Sequence, residues 1–120
     1  MEERILILHV RHLGLIVFGA CSHAGIVNAC KHARNLFPDF PIHCAMGGLH
    51  LGVMEAIIPD TVEGLRPFVI KYIITGHCTG WRALRTLANA SGESVSQLAV
   101  GMSYTFAVDG AYRLELETRT

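Results

Sequence analysis

Charge is scarce in this chain and balanced where it occurs. Of 120 residues, 17% are charged, and ten basic residues cancel ten acidic ones. A chain without cationic excess lacks the electrostatic footprint of a DNA or RNA binder and has nothing to hold it on an anionic membrane surface. Long apolar runs are missing too, since none approaches the roughly 20 residues of a spanning helix. Met1-Glu2-Glu3-Arg4 is acidic where a signal peptide is basic. These absences predict no nucleic acid, no membrane and a cytoplasmic location. The four cysteines, Cys21, Cys30, Cys44 and Cys78, form no C-x-x-C pair and no even framework. Buried thiols in a reducing cytoplasm are the expectation. Neither a Walker lysine nor a G-x-G-x-x-G fingerprint is present, which argues against a nucleotide.

What is present is apolar: 51% of the residues are hydrophobic. They are arranged in a recurring unit. Residues 15–19 form an apolar run that stops at Cys21-Ser22-His23, and helix-like sequence follows. Residues 42–46 run into Gly47-Gly48-Leu49-His50, and residues 72–75 into Gly76-His77-Cys78-Thr79-Gly80. Each strand-like run therefore ends in a small-residue turn carrying one histidine. If the strands are parallel, His23, His50 and His77 emerge along the carboxyl edge of one sheet, where open α/β sheets bind ligands.

The rest of the chain fits around these units as one domain. Residues 5–10 read as a strand pairing with 15–19 in an antiparallel hairpin. His9 and His12 are expected to be solvent-exposed. Residues 24–37 carry Ile26, Val27, Cys30, Ala33 and Phe37 on one helical face, with Ser22 as the expected N-cap. Asp60-Thr61-Val62-Glu63 has the form of a capping box, and Pro67 limits the helix it opens. A third helix is expected over residues 81–90, with Trp81, Leu84, Leu87 and Ala88 on its apolar face. Three strand-like runs follow, at 95–100, 104–108 and 112–116, with Asp109-Gly110 as a hairpin turn between the last two.

The parallel strands are apolar on both faces, as in buried sheets. Right-handed crossovers put consecutive helices on one face, so three short helices leave the other face bare. An apolar patch of that size is not tolerated by a monomer. A partner is expected to cover it, most simply a second copy in a homodimer.

With the three histidine turns placed, the chain resembles the carboxyl-terminal half of a metallo-β-lactamase superfamily protein. The branch is that of the dihydropterin–aminobenzene phosphate synthase-like hydrolases. The motifs are Cys21-Ser22-His23-Ala24-Gly25-Ile26-Val27-Asn28, Gly47-Gly48-Leu49-His50-Leu51 and Gly76-His77-Cys78-Thr79-Gly80-Trp81. The resemblance implies an α/β fold: half of an αβ/βα sandwich, a mixed sheet with helices on one face, completed by dimerisation, with residues 1–120 as a single half domain. It implies one or two metal ions, usually zinc, with another divalent metal as the variant. His77 matches the family's last ligand histidine, and Cys21 falls where ordinary members place a bridging aspartate. His23 and His50 are implied as further ligands or substrate contacts. The family's His-x-His-x-Asp-His motif, which belongs to its amino-terminal half, does not occur in these 120 residues.

The implied function is a metal-dependent hydrolase of a small molecule, a zinc-activated water attacking a phosphoester, ester or lactam. No catalytic residue beyond the ligands can be named. No carboxylate sits in the three turns, so Glu55 and Asp60 are the nearest in sequence to serve as base or bridging ligand. Cys78 adjoins His77 but is expected to point elsewhere, and Trp81 is expected in the core. The alternatives are a non-catalytic metal-binding oligomer, which the missing motif favours, and a small domain binding phosphate ligands at a helix N-terminus.

Overall fold

The computed structural model describes residues 2–107 and, for the backbone, residues 112–116. A five-stranded sheet has the order β1-β2-β3-β4-β5. β1 (Ile5–Val10) pairs antiparallel with β2 (Gly14–Gly19), while β3 (Ile42–Gly48), β4 (Tyr72–Gly76) and β5 (Val95–Gln97) run parallel to β2. The hairpin and the three histidine-bearing strands are thus where the apolar runs put them. β5 adds a fourth parallel strand and is shorter than the run from which it was read.

The helices α1 (Ile26–Leu36), α2 (Ile58–Leu65) and α3 (Trp81–Ser91) lie against one face of this mixed sheet. Leu15, Val17, Ile42, Ala45 and Ile73 point from the strands into that layer, meeting Ile26, Cys30 and Ala33 of α1, Val62 of α2 and Leu87 of α3. Crossover handedness explains why all three helices share a side.

The other face is not bare. β6 (Met102–Phe106) and β7 (Tyr112–Leu116) form a separate antiparallel ribbon. Tyr104 and Phe106 of β6 pack on the cluster of Ile16, Cys44 and Ile74, whose members are 2%, 0% and 0% exposed. The chain therefore covers the centre of its own second face. What stays open lies toward the β1 edge, where Leu6 is 55% and Leu8 43% exposed and Phe18 and Met46 are half-buried. The register Leu6↔Phe18 and Phe18↔Met46 aligns three of these in one row. The Asp109-Gly110 turn lies outside the described residues.

Both expected caps fail. α1 starts after Gly25, with no side-chain cap; Ser22 comes three residues too early, and its buried hydroxyl has no partner among the described residues. α2 starts at Ile58, so Asp60 lies inside its first turn, and Glu63 pairs with Arg66 at 2.9 Å instead of reaching back. The Pro59 ring, at the second helical position, allows that earlier start. His9 and His12 are exposed as expected. Among the described residues no helix is long and apolar enough to cross a membrane.

Candidate metal centre

The three turns close on one another at the carboxyl edge of β2, β3 and β4. Backbone bonds tie them: Gly48 N–H donates to Ala20 O at 3.2 Å, and Gly52 N–H to Cys78 O at 2.9 Å. Such close approach requires bare backbone. A Cβ on Gly47 would lie 1.8 Å from Gly19 O, and one on Gly48 would lie 2.8 Å from Cys78 Sγ.

A threonine pair sits beneath the turns. Thr75 and Thr79 are 0% and 1% exposed. The Thr75 hydroxyl donates to Gly47 O at 2.8 Å, and the two hydroxyl oxygens are 2.6 Å apart. The Thr79 hydroxyl lies 2.7 Å from Gly76 O and accepts the Leu49 N–H at 3.0 Å. One buried side chain therefore pins the turn of His50 to the turn of His77. Both histidines are left-handed, at φ +51° and +52°, and Ser22 of the first turn is at +56°. Non-glycine residues pay on the order of 1–3 kcal/mol for that conformation, and it recurs at functional sites.

Two donor triads result. Cys21, His77 and Cys78 form one and Cys21, His23 and His50 the other, each with ligand atoms within 4.8 Å of one another. Cys21 Sγ is 3.6 Å from His50 Nδ1 and 2.8 Å from Cys78 Sγ. The rings of His23 and His50 meet edge to face at 4.2 Å. All four residues expected as ligands are thus brought together, with Cys21 common to both triads. Cys78, expected to point away, instead faces the site. The 3₁₀ turn His77–Thr79 swings its thiol inward, where it accepts the His50 N–H at 3.2 Å.

The donor set fits a metal such as zinc. Donor atoms of a zinc tetrahedron lie about 3.3–3.8 Å apart, given its usual bond lengths. The Cys21–His50 separation of 3.6 Å matches that spacing; the two thiols, 2.8 Å apart, would have to spread by about 1 Å to serve together. Their hydrogen bond and burial push the Cys21 thiol up to about 11, so metal uptake must displace its proton.

Among the described residues neither donor triad includes a carboxylate. Glu55 is held outside by Arg82 at 2.7 Å, and Asp60 lines a cavity of about 350 Å³ beside His23 and His50. Glu3 instead reaches the first turn, its carboxylate accepting the N–H groups of Ala24 and His23, both at 2.7 Å. The Ala24 N–H is the chief reason its carboxyl is held below the usual 4.5, with the His23 N–H adding to it. Continuing the hairpin register Ile5↔Gly19 by two residues sets Glu3 beside Cys21, so that register was the signal in the sequence. Trp81 is 64% exposed instead of buried and lines a second recess with His77 and Gln97.

The chain shares the mixed sheet of the metallo-β-lactamase superfamily, and its likenesses to known proteins support membership in it. It is 31% identical over 107 residues to the 7,8-dihydropterin-6-methyl-4-(β-D-ribofuranosyl)-aminobenzene-5'-phosphate synthase of Methanocaldococcus jannaschii, covering 88% of this chain and 36% of that protein. The crystal structure of Tm1679, a metal-dependent hydrolase of the β-lactamase superfamily, matches with a TM-score of 0.71 at 25% identity. That match covers 78% of this chain and 36% of the other. The chain thus spans about a third of the length of both relatives. No protein-family profile matches it.

Proposed function

We propose that the chain is a metal-dependent hydrolase subunit acting on a small phosphoester, ester or lactam, with Cys21, His23, His50 and His77 as its metal ligands. The supporting observation is the sharing of Cys21 between two triads whose donor atoms lie within 4.8 Å. Zinc is the cofactor that a set of imidazoles and thiols favours, as one or two ions. When bound, such an ion polarises the scissile group and lowers the pKa of a water. The chain's own residues orient and exclude. Thr79 fixes the spacing of the His50 and His77 turns, and Glu3 holds the backbone of the His23 turn. The cavity beside His23 and His50, walled by Leu49, Leu51, Met54 and Ile57, offers an apolar seat for the substrate. We place the protein in the cytoplasm, where its thiols stay reduced, as a single half-sandwich domain that dimerises through Leu6, Leu8, Phe18 and Met46.

The test is metal-stripped protein titrated with zinc, with bound metal and subunit number read by native mass spectrometry. Hydrolysis of bis-p-nitrophenyl phosphate, p-nitrophenyl acetate and a chromogenic lactam follows. Bound zinc in a dimer, with hydrolysis that both His77→Ala and His23→Ala abolish, is the expected result. A monomer that takes up no zinc refutes the reading.

A second reading has its own support. Both triads consist of cysteine and histidine, and the nearby Glu3 carboxylate is occupied by two backbone N–H groups. Closed thiolate-rich sets are typical of structural metals. Zinc bound without hydrolysis of any of the three substrates selects a non-catalytic metal-binding oligomer.

A further inference from the structure

We propose that Cys21 and Cys78 are a redox pair, closing reversibly to a disulfide under peroxide and thereby removing Cys21 from both donor triads. The two are 57 residues apart in sequence, yet their sulfurs lie 2.8 Å apart. A disulfide needs about 2.05 Å, so closure takes an inward movement of about 0.8 Å. Both residues are half-buried, within reach of a small oxidant or reductant. Cys30 and Cys44 are 0% exposed and packed in apolar clusters, which leaves them no part in the exchange.

The surroundings hold the pair in place. Cys78 Sγ is fixed by the His50 N–H at 3.2 Å and lies 3.5 Å from Cys21 O. The bare Gly48 beside it gives the sulfur its room. The two sulfurs stand between two outcomes. A metal bound through Cys21 would keep that sulfur from Cys78, and oxidation draws the two together. In the oxidative step one cysteine loses its proton and attacks a peroxide oxygen as the thiolate, giving a sulfenic acid and a hydroxide that takes up the released proton as one water. The second thiol then attacks that sulfur and expels a second water. Two S–H bonds and one O–O bond break, one S–S bond forms, and the peroxide accepts the two electrons lost by sulfur. Competition between disulfide and metal rests on the metal-centre reading above; the cross-link itself does not.

The experiment uses the full chain, reduced and metal-stripped, treated with about one equivalent of hydrogen peroxide. Remaining thiols are alkylated and the protein is digested with trypsin. Residues 12–31 carry Cys21 and Cys30, and residues 72–82 carry Cys78, so fragmentation of the joined peptides locates the bond. A Cys21–Cys78 link, two of the four thiols lost and full recovery with dithiothreitol are expected; Cys21→Ser and Cys78→Ser each abolish the link. Zinc at about ten times its Kd slows closure about tenfold. Over-oxidation of each cysteine separately, or a link involving Cys30 or Cys44, overturns the proposal. A Cys21–Cys78 link that zinc does not slow upholds the pair and counts against the metal centre.

Discussion

Replacing Thr79 by valine keeps the side-chain shape and deletes one hydroxyl, which isolates the bond network beneath the site. In the folded protein that hydroxyl accepts the Leu49 N–H and contacts both Thr75 Oγ1 and Gly76 O. Thr75 keeps its own acceptor, the Gly47 carbonyl, in the variant. The Leu49 N–H has no such substitute at a residue only 3% exposed. A buried donor left unsatisfied costs about 1–3 kcal/mol. For a domain of this length each kcal/mol lowers Tm by about 3–5 °C, so Thr79→Val should melt about 3–15 °C below the parent protein. Thr79→Ser retains the hydroxyl and should recover most of that loss. The same change should weaken zinc binding, because Leu49 precedes His50 and Thr79 follows Cys78. Thermal melts of metal-stripped proteins, followed by zinc titration, read both effects. Equal melting of the valine variant and the parent would refute the pin, as would a serine variant no better than valine.

Three shorter predictions concern the backbone and titration. Glu3→Gln removes the charge that holds the His23 turn, so amide exchange at His23 and Ala24 should accelerate about tenfold. In the parent protein this clamp is intact above pH 4.5 and is lost as pH falls through the depressed carboxyl pKa. Gly47→Ala should fail to fold, since its Cβ would lie 1.8 Å from the Gly19 carbonyl at a φ of +127°. Gly92→Ala, with nothing within 4 Å, should lose only about 1–2 kcal/mol for its positive φ. His43 is buried at the β3 irregularity, between Tyr72 and Phe106; burial, aided by Lys71, lowers its pKa below 6.5. Below pH 6.5 the unfolded chain takes up a proton that the folded chain refuses. Stability should therefore decline as pH drops from 6.5 until folded His43 also titrates, and His43→Phe should flatten that slope in urea melts.

The strands and histidine turns were legible because period and punctuation act locally: an apolar run followed by small residues reads the same in any context. Glu3 was not, because its contact depends on the hairpin register carrying the residues before β1 past the end of β2. Cys78 was not, because its direction follows from the 3₁₀ turn His77–Thr79 and the left-handed φ of His77, which hydrophobic periodicity does not report. Ser22 fits an N-cap by residue type, yet its hydroxyl lies over the bare Gly19, 2.3 Å from where a Cβ would stand. Trp81 reads as core from hydrophobicity, but on α3 the positions fully turned to the sheet are Ala83 and Leu87.

The ribbon of β6 and β7 changes the argument for a dimer without removing it. A wholly bare sheet face would demand a partner for folding; this one has its centre covered by Tyr104 and Phe106. Leu6 and Leu8 still expose 55% and 43% of their surface. Full burial of a leucine contributes about 1.5–3 kcal/mol, so half-burying four of them, two from each copy, supplies about 3–6 kcal/mol. Association costs about 4–15 kcal/mol in lost rigid-body freedom. The two leucines offset only the low end of that cost, so a measurable dimer needs Phe18 and Met46 to join them. The dimer should therefore dissociate on dilution, not persist as an obligate unit. Leu8→Glu places a charge in that strip and should yield a monomer in sedimentation equilibrium with zinc binding intact, because the donors lie in the turns beyond the strand ends. A Leu8→Glu protein that stays dimeric would move the interface elsewhere, and one that loses zinc would mean that the site needs both copies.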